Sequence, residues 1–430
     1  MPFYGLTKEQ WLSVLGAWAG WLMDGYTSIA YALAAVTLSH LFFPVSNQVI
    51  SLIATFGGLA TGAIARPIGS LIFGNFIGDK LGRRSMLTVT ILGFSIFGAS
   101  KGLLPTYSQV GILAPILIYL VLFLEGMFAG AEYGGGTSLA LENVPIDKRA
   151  FIGAFIQSGF GTGYFIISLV YSGIYNLFLN DFQTIGWRIF FLTCLVPGVL
   201  TLVIRLISKE TPVFEEMRKR EEILKVPIKT LFKDSYIQIL IGLLITSGLL
   251  YINNATFNIY PTVMTLNDIQ GGLVGIGVAI INLVSLFGVW TGGLLANLIS
   301  GRKRPMLIYA ILFTVSIYPI LYFGITNNFT TATTVFSIQA FLEAMIFSTL
   351  PSFLSEQFSK KYRTTGVGFT YNGGAIVGGF SISIIFAIST YIGLLNSWFI
   401  NLTIASIAMI IGILISKETY YIGKEDPIRK

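Results

Sequence analysis

The 430-residue chain has one cysteine, Cys194, and one histidine, His40. A disulfide framework within the chain, a cysteine-based metal cluster and a histidine-pair zinc site are therefore excluded, and no cofactor is expected. Charge is also scarce: Asp, Glu, Lys and Arg make up 11% of residues, against about 25% in soluble domains. With 54% of residues hydrophobic, the chain reads as an integral membrane protein and lacks the residue clusters from which an enzyme would be built. A net charge of +7 could suit nucleic acid, but its distribution fits membrane orientation better, so no nucleic-acid partner is expected. No cleavable leader is expected either, because the first apolar run is too long and continues as a span.

Twelve apolar segments are present, at about 11 to 39, 48 to 77, 86 to 104, 111 to 141, 150 to 177, 186 to 208, 235 to 262, 272 to 298, 305 to 326, 330 to 353, 364 to 388 and 391 to 416, each long enough to cross a bilayer as a helix. With a cytoplasmic N-terminus, every Lys and Arg except Lys101, Arg188 and Arg66 falls in an inside loop or tail. The positive-inside rule then predicts a multi-pass protein of the cell membrane with both termini cytoplasmic. Lys101 and Arg188 are expected towards the outside, and His40 at the outer interface.

The longest polar stretch, Lys209 to Asp234, contains Glu215-Glu-Met-Arg-Lys-Arg-Glu-Glu222 and reads as an amphipathic linker on the membrane surface. It divides the chain into a six-helix half at 1–208, a linker at 209–234 and a second half with a short tail at 235–430. Repeats support the division. Ile207-Ser-Lys-Glu-Thr211 recurs as Ile415-Ser-Lys-Glu-Thr419, Gly82-Arg83-Arg84 is matched by Gly301-Arg302-Lys303-Arg304, and Glu142 with Arg149 is echoed by Glu356 with Arg363.

The loop Gly74-Asn-Phe-Ile-Gly-Asp-Lys-Leu-Gly-Arg-Arg84 interrupts two apolar runs with an acid, three bases and turn-forming glycines. It resembles the signature G-x-x-x-D-x-x-G-R-R of the major facilitator superfamily. Arg66-Pro67, Gly130-Ala-Glu-Tyr133, Gly186-Trp-Arg188, Glu210-Thr-Pro-Val-Phe214 and Gly20-Trp-Leu-Met-Asp24-Gly-Tyr26 resemble the metabolite:proton and organic-anion:proton symporters within it. Thr27 stands where that branch commonly has a second acid, and Leu122 where many relatives carry a base. The resemblance implies an all-α membrane fold of twelve helices in two six-helix halves related by pseudo-two-fold symmetry. It implies a secondary transporter that moves a small organic anion by alternating access and proton symport, working as a monomer in the lipid bilayer; a sugar or phosphate symporter is the alternative, and a transporter-derived sensor or membrane enzyme would be a different class.

Helix rise places Asp24, Arg66 and Glu132 at similar depth, roughly 15 to 20 Å from the inner surface. Charges there should face a cavity or one another. Asp24 and Glu132 are the candidates for proton coupling, because a carboxylate alternates between protonated and ionised forms. Arg66 is the candidate anion ligand, because its guanidinium binds carboxylates through paired donors. The competing reading is a fixed strut that pins spans one, two and four. Glu125 and Glu343 are further intramembrane acids. Helical spacing adds a polar lining: Asp24, Thr27 and Tyr31 on span one, Gln157 and Tyr164 on span five, Tyr251, Asn254 and Asn258 on span seven, then Asn282, Tyr371 and Asn372. A cytoplasmic gate is expected from Asp79, Arg83, Arg84, Glu142, Arg149, Glu356 and Arg363. Glycines such as Gly130 and Gly163 lie inside apolar spans and read as helix-packing positions, not as a phosphate loop.

Overall fold

The computed structural model describes residues 3–73, 83–132, 140–141, 144–207, 227–299, 301–359 and 363–420. The apolar runs become helices. Span one is Lys8–Leu33, continued by Ala35–Phe42; span two is Gln48–Leu71; span three is Arg83–Ser100, continued by a 3-10 turn, Lys101–Leu103; span four is Leu113–Glu132. Span five is Arg149–Leu177, and span six joins Trp187–Leu192 to Leu195–Ile207. In the second half, span seven joins Tyr236–Phe257 to Tyr260–Leu266, span eight is Gly271–Ile299, span nine Lys303–Gly324 and span ten Phe329–Gln357. Span eleven joins Arg363–Gly379 to Ser381–Ile392, and span twelve is Leu394–Ile415. This is the twelve-helix arrangement expected from the hydropathy.

Local chemistry sets the helix ends and breaks. Thr7 and Gln10 form a capping box at the start of span one, and the Asn47 and Asn328 side chains accept backbone N–H groups at the starts of spans two and ten, satisfying donors that a first turn leaves open. Span seven breaks at Asn258 and Ile259 because Pro261 lacks an N–H and its ring collides with the carbonyl four residues earlier. Pro197 does the same in span six, where Thr193 and Cys194 interrupt the helix. Gly393, at φ +78°, reverses the chain between spans eleven and twelve in a conformation that favours glycine.

The expected linker lies for the most part outside the described residues, although its end forms a helix, Pro227–Asp234. Within each half the spans pack mainly on their own partners: one on five and two on four in the first half, seven on eleven and twelve, and eight on ten, in the second. The halves meet along two seams, span five against eight and span two against eleven. Large apolar residues such as Leu240, Phe287, Val315 and Ile404 stay exposed around the outside, the arrangement a bilayer stabilises.

Candidate functional site

Close helix packing sets the depth of the central charges. A Cβ on Gly130 would collide with the Arg66 carbonyl oxygen, and one on Gly163 with the Leu22 carbonyl oxygen. Glycine at these positions therefore lets span four lie directly on span two, and span five on span one. Asp24 and Arg66 are thereby brought together: Arg66 Nη2 donates to Asp24 Oδ1 at 2.8 Å, and Ser28 donates to the same oxygen at 3.0 Å. The Asp24 side chain is 3% exposed and that of Arg66 18% exposed, so the acid is sealed while the guanidinium retains an open side.

That open side faces a cavity of ≈ 800 Å³ between the halves. The first half lines it with Thr27, Ser28, Tyr31, Arg66, Lys101 and Glu125, the second with Asn253, Asn254, Asn258 and Tyr371. Tyr31 donates to the Thr55 carbonyl at 2.8 Å. Across the seam, Tyr164 donates to Asn258 Oδ1 at 3.3 Å, and Asn258 donates to Asn254 Oδ1 at 2.7 Å. Tyr371 lies edge-on to Trp21, with ring centroids 5.9 Å apart.

A smaller cavity of ≈ 400 Å³ adjoins it and shares Phe160, Tyr164 and Asn253. Gln157 and Asn282 line this second space. Their buried oxygens Oε1 and Oδ1 have no hydrogen-bond partner among the described residues, so they are acceptors available to a ligand hydroxyl or amine.

Lys101, expected towards the outside, is sealed within the protein. It is 1% exposed and donates to both carboxylate oxygens of Glu125 at 3.0 and 2.9 Å, with its ammonium 5.2 Å from the centre of the Phe191 ring. Lys101 opens the 3-10 turn, Lys101–Leu103, that closes span three. His40 is exposed at the end of span one, as expected of an interfacial residue. Two lining expectations resolve differently, and one lining residue is new. Tyr251 donates to Asn401 of span twelve at 2.6 Å, away from the cavity. Its neighbour Asn253, which sequence reasoning did not select, lines both cavities. Asn372 lines neither; it donates to the Gly130 carbonyl at 2.7 Å and joins span eleven to span four.

Among the candidate gate residues, Asp79 and Glu142 lie outside the described residues, as do the side chains of Arg83 and Arg84; the side chain of Glu132, the second proton-coupling candidate, lies outside them too. Glu356 pairs with Arg302 at 3.1 Å, and both side chains are buried. Arg302 also donates to the Ile146 carbonyl at 3.0 Å, which ties the second half to the first. Arg149 and Arg363 occupy corresponding positions: their Nε atoms donate to the Val144 and Phe358 carbonyls, each five residues earlier. Glu418, within the repeated Ile-Ser-Lys-Glu-Thr segment, accepts the backbone N–H groups of Arg302 and Lys303 at 2.8 and 3.1 Å. It thus places a carboxylate at the N-terminal end of span nine, where the helix dipole favours an anion.

A polar cavity between two six-helix halves, tied together by Arg302 through Glu356 and the Ile146 carbonyl, is the architecture the signature loop implied. The sequence profile described as Major Facilitator Superfamily matches residues 13–382. The chain belongs to the Major Facilitator Superfamily. Among similar members, the inner membrane metabolite transport protein YhjE of Escherichia coli (strain K12) is 31% identical over 376 residues, covering 84% of this chain and 83% of that protein. A shikimate transporter of the same strain is 29% identical, covering 96% and 94%. A protein of Staphylococcus aureus (strain COL) that carries the name of a proline/betaine transporter is 36% identical but covers 48% of this chain and 45% of that protein. In fold, the superfamily chain is similar to a partially occluded inward-open conformation of the xylose transporter XylE from E. coli, with a TM-score of 0.78 at 17% identity over 96% of this chain and 99% of that one. The protein is a multi-pass secondary transporter of the superfamily, and not an enzyme.

Proposed function

We propose that this transporter carries a small organic anion, a carboxylate metabolite, together with a proton, by alternating access of the central cavity. The observation that carries the reading is the Arg66–Asp24 pair on the cavity wall, in which the base is open to the cavity and the acid is not. A carboxylate entering the cavity competes for Arg66 through paired N–H donors. As it does so, Asp24 loses its cation and becomes the acceptor for a proton, because a sealed carboxylate without a partner is costly. Anion and proton then bind together through one exchange of partners, with positive linkage in both directions. Relatives named for shikimate and for proline or betaine support a carboxylate-bearing solute. The neutral amides and phenols of the second half favour a second reading, a sugar, and phosphate would also suit Arg66.

The distribution of Lys and Arg supports a cell-membrane location with both termini cytoplasmic. On that orientation, Arg302, Glu356 and the ionic turn after span two belong to an inner gate. The functional unit we propose is one chain, divided into halves at 1–208 and 235–430 by the linker.

The purified full chain, screened by thermal shift against carboxylates, sugars and phosphate, tests the assignment, since a ligand that binds the folded state raises its apparent stability. Arg66→Lys keeps the charge and loses the fork. One charge-assisted hydrogen bond contributes about 1.5–3 kcal/mol, and 1.4 kcal/mol is tenfold in affinity, so carboxylate binding should weaken by about 10- to 100-fold. Unchanged carboxylate affinity in Arg66→Lys, or stabilisation by uncharged sugars alone, would overturn the anion reading.

A further inference from the structure

Glu343 lies in the middle of span ten and is fully buried. Its two partners come from span seven. Asn253 Nδ2 donates to Oε1 at 2.9 Å, and the Thr256 hydroxyl oxygen lies 2.6 Å from Oε2. The same hydroxyl is 2.9 Å from the Ile252 carbonyl and 3.1 Å from the Asn253 carbonyl. A threonine has one proton to donate, whereas an ionised carboxylate and a carbonyl can only accept. Within a helix that proton commonly goes to the carbonyl one turn back. With an ionised Glu343, that one proton goes to Oε2, 2.6 Å being within the range of about 2.5–2.7 Å for an O–H···O⁻ bond, and the Ile252 carbonyl at 2.9 Å receives none. With a proton on Oε2, Glu343 donates to Thr256 and Thr256 donates to Ile252, so both of the shorter contacts carry a proton.

The charges around Glu343 point the same way. Asp24, Glu125 and Glu356 each have a cation at 2.8 to 3.1 Å. Among the described residues Glu343 has none: spans seven, eight and twelve contain no charged residue, and Arg149, Lys303, Arg304, Glu356 and Arg363 sit at the ends of spans five, nine, ten and eleven. The phenols of Tyr164 and Tyr260 lie close enough to couple to it, and these bond to Asn258 and Gln339. An anion sealed in such surroundings is strongly disfavoured.

We propose that Glu343 is a second proton-binding site, in the second half of the transporter and separate from the Arg66–Asp24 pair, and that it holds its proton in this conformation. Its link to the cavity is Asn253, which lines both cavities while its amide holds Oε1. A solute that captures the Asn253 amide, or a movement of span seven against span ten, removes that bond and opens the acid to exchange. This use of the proton rests on the proton-coupled reading; its presence on Glu343 does not.

Infrared spectroscopy of the full chain in lipid vesicles at neutral pH, with no solute added, tests the site. The parent should show the C=O stretch of a protonated carboxyl, Glu343→Gln should lose it, and Asp24→Asn should keep it. Thr256→Val removes the group that receives the proton and should shift the band without abolishing it, an independent reading should Glu343→Gln fold poorly. The proposal is overturned if the band survives intact in Glu343→Gln, if the parent-minus-variant spectrum shows ionised carboxylate bands instead, or if Thr256→Val leaves the band unmoved. Since no solute is present, failure of the anion assignment leaves these outcomes unchanged and would register only in the ligand screen.

Discussion

Removing one member of the Lys101–Glu125 pair leaves the other as an unpaired charge inside the bundle. The side chains are 1% and 7% exposed, so water provides little screening. Breaking such a pair costs about 3–5 kcal/mol, whereas replacing both members with apolar residues of similar volume is often neutral or stabilising by roughly 1–4 kcal/mol. Lys101→Met and Glu125→Leu should therefore each lower the apparent melting temperature markedly, Lys101→Met by stranding the acid and Glu125→Leu by stranding the ammonium beside Phe191. The double variant should return to or above the parent. Thermal unfolding of the four proteins in one detergent measures this cycle, and the coupling should far exceed the few tenths of a kcal/mol expected of independent sites. Transport divides the possible roles further: because both residues line the cavity, a stable double variant that no longer transports assigns the pair to solute handling, and one that transports normally assigns it to structure. If Lys101→Met alone melts with the parent, the pair is not the sealed, mutually dependent unit described above.

Asp24→Asn should abolish solute accumulation driven by a pH gradient in proteoliposomes while sparing counterflow exchange; normal accumulation would move coupling to another acid. Glu356→Gln leaves Arg302 buried without its anion and weakens the tie from Arg302 to Ile146, so it should shift the population towards opening at the face that bears the termini. In a Cys194→Ser background, an Ala375→Cys reporter on the cavity wall should then react faster with an impermeant maleimide added from that face, and an unchanged rate would remove Glu356 from the gate.

Much of the architecture was legible because a bilayer demands long apolar helices, and a short list of charges inside them must find one another. Asp24 and Arg66 were placed at one depth by counting residues, and they bond. The partner of Lys101 was not legible: counting residues put the lysine near the far end of span three, but nothing in the sequence showed that Glu125 of span four lies beside it and receives the ammonium. Tyr251 was expected on the cavity and Asn253 was not, because face assignment on span seven could not include Asn401, which binds Tyr251 from a distant segment. Asn372 shows the same limit, since its partner is a backbone carbonyl in the other half. The repeated Ile-Ser-Lys-Glu-Thr segment did carry its signal, because one of its copies supplies Glu418 to the end of span nine.

The division of charge between the halves follows from their separate tasks. Both ion pairs on the cavity, Arg66 with Asp24 and Lys101 with Glu125, are contained within spans one to four. The second half faces them with Asn253, Asn254, Asn258 and Tyr371. If the halves rock against each other, bonds between them must break and re-form in every cycle, and a charge pair spanning the moving seam would strand two ions at membrane depth each time. Keeping each pair inside one half removes that barrier. Neutral amides and phenols can change partners at far lower cost, as the Tyr164 to Asn258 bond across the seam would require. On the organic-anion reading proposed above, the first half would read the charge of the solute and the second would close over its uncharged face. Moving the anion across the seam, by combining Asp24→Asn with Asn254→Asp, should then slow exchange more than Asp24→Asn alone while preserving the net charge of the cavity. Equal exchange rates in the two variants would show that confinement of charge to one half has no part in the transport cycle.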